Sequence, residues 1–143
     1  MTPPGPPPAP APAAPPPGQA TGWVRLTVQG SWLVTGFVSP TVRLNGYPVA
    51  TRRGENLLPA WAGPNRLDVE MRWMWTYGQA STSVDVPTGQ AVPLWYCPPF
   101  TTMSKGAIGT APQHAPDRWV YMATAALVLV AMVVGLVTYV VMG

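Results

Sequence analysis

The chain has 143 residues, of which 20 are Pro and 14 Gly, yet 48% are hydrophobic and only 9% charged. A uniform soluble domain rarely combines these features, and with one His (His114) and one Cys (Cys97) neither a Cys/His metal cluster nor an internal disulfide can be built. The eight Lys and Arg are scattered and the net charge is +3, so no basic stripe marks a nucleic-acid binder.

Residues 1–22 hold ten prolines and no charge. Pro fixes φ and lacks an N–H, so this run reads as an extended, coreless tail, either simply disordered or a docking strand for an aromatic groove. With no basic start and no apolar core, it is not a signal peptide.

Residues 23–97 carry strand periods and turn signals, and are expected to form a small antiparallel β-sandwich. Trp23–Val28 alternates, placing Val24, Leu26 and Val28 on one face. A second run, Trp32 to Val38, ends at Ser39-Pro40. Thr41–Leu44 then meets Asn45-Gly46, a hairpin signal because both residues tolerate φ > 0. Tyr47–Val49 and Glu55–Pro59 are short strands, and Ala62-Gly63-Pro64-Asn65 is a turn.

The longest strand is expected from Arg66 to Trp75. Leu67, Val69, Met71, Trp73 and Trp75 would face the core, and Tyr77-Gly78 would turn the chain into Ala80–Val86. Thr88-Gly89 leads to the last strand, Gln90–Cys97. Residues 98–117, with four Pro and two Gly, read as a linker.

Trp119 to Met142 is an uncharged run of 24 residues, about 36 Å as a helix against a hydrocarbon core of about 30 Å. Residues 118–143 are therefore expected to hold a transmembrane helix. Trp119 and Tyr121 at one end and Tyr139 at the other suit the membrane interfaces. Thr124, Ala131, Gly135 and Thr138 share a stripe on which another helix could pack closely. With Lys105 and Arg118 before the span, the expected topology is single-pass, tail-anchored in the plasma membrane, with the N-terminal domain cytoplasmic. A lone Cys97 suits a reducing compartment.

The segments Pro40–Val49 (PTVRLNGYPV), Ala62–Val69 (AGPNRLDV), Tyr77-Gly78 and Gly89 resemble PEGA-like small β domains. Many members carry His where Asn65-Arg66 stand here. The order of Pro-rich tail, this domain, Gly106-Ala107-Ile108-Gly109 and a final helix resembles small tail-anchored accessory subunits of actinobacterial haem–copper cytochrome c oxidases in respiratory supercomplexes. The resemblance implies oxidase or supercomplex subunits as partners and no redox centre of its own; the span itself implies membrane lipid as a further partner, and no cofactor is expected.

The inventory for catalysis is poor. Asp68 and Glu70 share a strand face and could do acid–base work, but Arg66 and Arg72 flank them, as on an ordinary solvated face. Cys97 and His114 could pair as nucleophile and base, but nothing in the sequence orients the His. Seven Trp exceed what one small core can cover. Trp32 and Trp61 are candidates for a partner surface, with the membrane interface, the core rim or a sugar platform as alternatives. The sequence thus points to a non-catalytic structural subunit. The alternative is a tail-anchored binding module that recognises a soluble protein or envelope glycan through Trp-rich loops.

Overall fold

The computed structural model describes residue 15, residues 17–30 and residues 38–143. The expected strand from Trp32 lies outside these residues, save Val38, as does most of the Pro-rich tail.

Two four-stranded sheets face each other, and one apolar helix follows. The strands are β1 (Gly22–Val28), β2 (Pro40–Leu44), β3 (Tyr47–Val49), β4 (Gly54–Ala60), β5 (Gly63–Arg72), β6 (Thr76–Val86), β7 (Ala91–Cys97) and β8 (Ala107–Gly109). The helix, α1, spans Arg118–Met142. One sheet has the order β4-β1-β7-β8 and the other β3-β2-β5-β6. All pairings are antiparallel except β1 with β7, which run parallel, Val24 opposite Val92 and Leu26 opposite Leu94.

Alternation builds the core. Val24, Leu26 and Val28 of β1 and Leu58 and Ala60 of β4 point inward from one sheet. Val42 and Leu44 of β2 and Leu67, Val69 and Met71 of β5 meet them from the other. The hairpin at Asn45-Gly46 forms as its sequence dictates, with φ of 53° and 87° and Leu44 opposite Tyr47.

The inward face of β5 stops at Met71. The strand ends at Arg72, opposite Thr76, and the Trp73 N–H donates to the Trp75 carbonyl across a tight reversal. Trp73 and Trp75, expected in the core, are therefore exposed, at 63% and 49%. The chain turns at 73–75 rather than at Tyr77-Gly78. Those two residues lie inside β6, where the register slips between Val69 and Met71. Gly78, with φ of 63°, takes up the extra residue as a bulge.

Segment 98–117, expected as a linker, packs on the sandwich and supplies β8, which pairs with the end of β7. Pro98, Pro99 and Ala115 are buried. The Pro and Gly content reads locally as loop, but long-range contacts fix it in place. Helix α1 covers the expected span, and none of its residues is buried.

Candidate membrane-proximal site

The direction of the strands gives the sandwich two distinct ends. β7 finishes beside the start of β6, where the Tyr96 hydroxyl donates to the Gly78 carbonyl at 2.6 Å. β1 starts beside the end of β6, with Gly22 against Val86. Asn45, Trp61 and Asn65 lie at this second end, where Asn65 Nδ2 donates to the Trp61 carbonyl and its Oδ1 accepts from Asn45. The helix leaves from the first end.

That first end is closed by a chain of specific contacts. Tyr96 is fully buried, and burial pushes its hydroxyl well above the ordinary tyrosine range, with the neighbouring Tyr77 and Cys97 adding to the shift. It therefore stays a neutral donor. Gly78 N–H donates to the Ser104 carbonyl and Gly106 N–H to the Gln79 carbonyl. A Cβ on Gly106 would lie 2.5 Å from both the Gly78 oxygen and the Tyr96 ring, so only glycine lets the segment approach this closely.

Asp117 then ties the segment to the helix. Its carboxylate accepts from the Phe100 N–H at 2.9 Å, the Thr101 N–H at 2.7 Å and the Thr101 hydroxyl at 2.7 Å. Burial alone would raise its pKa, but these hydrogen bonds outweigh burial and hold the carboxyl below the usual range. Asp117 stands at the helix N-cap but makes no side-chain cap there. Phe100 stacks on Tyr121, with ring centroids 5.0 Å apart. The Trp75 indole N–H reaches the Thr102 carbonyl at 3.4 Å, and the Trp73 and Trp75 rings lie 5.9 Å apart. Loop 100–104 and the turn 73–75 therefore sit level with the first turns of α1. The result is an exposed apolar rim of Trp73, Met74, Trp75 and Met103 around the helix root.

The expected site residues fall on both sides of this picture. Trp119 and Tyr121 are exposed at the helix root, and Tyr139 is exposed near the other end of α1. Thr124, Ala131, Gly135 and Thr138 are exposed along α1, and a Cβ on Gly135 would meet no atom within 4 Å. Both Thr hydroxyls donate to carbonyls of their own helix, Val120 and Val134. Trp61 is partly exposed at the end remote from the helix, and Trp32 lies outside the described residues.

The candidate catalytic pairs are otherwise engaged. Asp68 accepts from Arg66 Nε and from the Ser81 hydroxyl, and Glu70 pairs with Arg43 across to β2. The Cys97 thiol is pushed up by burial and by the Asp117 charge, which keeps it protonated. His114 is exposed, and no contact joins it to Cys97.

Alternation alone places Trp73 and Trp75 in the core and so hides the rim. Its signal was present, because Trp73-Met74-Trp75 breaks the apolar–polar alternation with three large apolar residues in a row. The role of Asp117 had no such local signal, since its partners lie 16 and 17 residues away. No family model, curated protein or solved structure matches the chain.

Proposed function

We propose that this chain is a non-catalytic accessory subunit of a larger membrane complex, held by one spanning helix with its β-sandwich seated at the membrane surface. The observation that carries this reading is the junction. A 25-residue apolar helix with no buried residue is joined to a folded domain by the Asp117 carboxylate and the Phe100–Tyr121 stack rather than by a loose tether. A domain fixed to its anchor in this way suits holding a set position on a complex. A flexible linker would suit a module that searches for soluble partners.

Support for a non-catalytic role comes from the engagement of Asp68, Glu70 and Cys97 in ion pairs, hydrogen bonds and burial. Cytoplasmic placement of the sandwich is supported by Lys105 and Arg118 on its side of the span. The resemblance to actinobacterial oxidase accessory subunits names the complex to test first. Affinity-tagged full-length protein, extracted in mild detergent from actinobacterial membranes, should bring down haem–copper oxidase subunits in stoichiometric amount. Recovery without any membrane partner would refute the proposal.

A further inference from the structure

The apolar rim and the cations around it are not explained by folding. Elsewhere on the described β domain the exposed large apolar side chains are Tyr47 on β3, Leu57 on β4 and Trp61 just after β4. At the helix root four gather together: Trp73, Met74, Trp75 and Met103, the last 96% exposed. Six of the eight Lys and Arg divide in the same way. Arg25, Arg43 and Arg66, on the sheets, are paired with Glu55, Glu70 and Asp68. Arg72, Lys105 and Arg118, beside the turn, the loop and the helix start, are exposed and carry no ion pair among the described residues. Asp117, the acid at the helix root, is buried and turned inward to Phe100 and Thr101.

We propose that this rim is a lipid-binding surface that seats in the headgroup layer of an anionic bilayer, with Trp73, Trp75 and Met103 at the acyl boundary and Arg72, Lys105 and Arg118 on lipid phosphates. The occupant follows from continuity with α1. If the apolar helix crosses a bilayer, Trp119 and Tyr121 lie at its interface, and Phe100, stacked on Tyr121, lies at the same depth. Thr102 follows Phe100 in that loop, and Trp75 is hydrogen-bonded to it. The rim is thus carried to headgroup depth by the helix itself. Indole rings partition to that layer, and unpaired cations there meet the negative surface potential. The inference rests on the helix spanning a membrane and not on which complex it joins, so failed copurification with an oxidase would leave it standing.

Depth measurement tests it. Full-length Cys97→Ala protein carries a nitroxide on Met74→Cys, on Met103→Cys or, as a control at the remote end, on Thr88→Cys. Each is reconstituted alone in vesicles of phosphatidylcholine with one quarter phosphatidylglycerol. Labels at 74 and 103 should collide less with a water-soluble nickel chelate, and more with oxygen, than the label at 88. Replacing Arg72, Lys105 and Arg118 by Gln, or omitting phosphatidylglycerol, should shift both rim labels toward water. Rim labels as exposed as the control in anionic vesicles would overturn the proposal. Rim labels shielded equally with and without the three cations would overturn the phosphate contacts. Shielding that appears only when a protein partner is added would replace lipid with protein as the occupant.

Discussion

Phe100 lies on Tyr121 with the two ring planes 15° from parallel, so the loop that closes the β-sandwich shares its level with the first turn of the apolar helix. The stack is held from below by Asp117, whose carboxylate fixes the backbone of Phe100 and Thr101. Domain and anchor therefore behave as one piece so long as that carboxylate is charged.

This gives a pH dependence with a definite sign. The folded pKa of Asp117 is depressed, so its stabilisation is present above the ordinary carboxylate range and is lost as pH falls below about 4 through the folded value. Amide exchange at Phe100 and Thr101 should accelerate in that window while the strands stay protected. Asp117→Ala should produce the same acceleration at neutral pH. Three lost charge-assisted bonds and an exposed junction correspond to about 1–3 kcal/mol of local stability. Unchanged exchange at neutral pH in that variant would show that the junction is held by other contacts.

Gly106 should prove more sensitive than its place in a Gly/Pro-rich stretch implies. A methyl group there meets the Gly78 carbonyl and the Tyr96 ring, neither of which can move cheaply. Gly106→Ala should cost about 1–3 kcal/mol by overpacking. It should also open segment 98–109 to limited proteolysis. Protease resistance and a melting temperature equal to those of the parent would refute the close packing.

The hairpin at Asn45-Gly46 isolates backbone strain from packing. A Cβ on Gly46 would meet nothing within 4 Å, so only its φ of 87° penalises a side chain. Gly46→Val should destabilise by at least about 1 kcal/mol, since β-branched residues avoid that region. Denaturant unfolding of the full chain in detergent measures this, and an unchanged midpoint would argue against the turn.

How much was legible follows from the range of the forces. The inward faces of β1 and β5, the Asn45-Gly46 turn and α1 are written in local periodicity, which a sequence exposes directly. The parallel match of β1 with β7 is not, because Val24 pairs with Val92 across 68 residues and alternation is blind to strand direction. The strand ending at Arg72 was hidden because Trp73 and Trp75 continue the in-facing pattern of Leu67, Val69 and Met71 by spacing alone. Segment 98–117 read as linker because Tyr96, Gly106 and Asp117 fix it through single contacts that leave no period behind. The site at the helix root is made of those contacts, so it was the least legible part.

In the proposed complex, α1 would meet its partner along one face. Between helices in lipid no hydrophobic drive remains, and association depends on close van der Waals packing and on interhelical hydrogen bonds. Thr124 and Thr138 spend their hydroxyls on their own helix backbone, so the stripe offers shape more than polar groups. Within it, Gly135 has no side chain and Ala131 lies one turn before it, which makes this the place where a second backbone can come nearest. If the proposed complex is held through this stripe, Gly135→Leu should release the protein from it in mild detergent. Val133→Leu, about 160° around the helix, should be retained. Both variants keep the apolar character of the span, so insertion should be unaffected. Equal copurification of both with the parent would show that the stripe faces lipid and that the β-sandwich holds the complex.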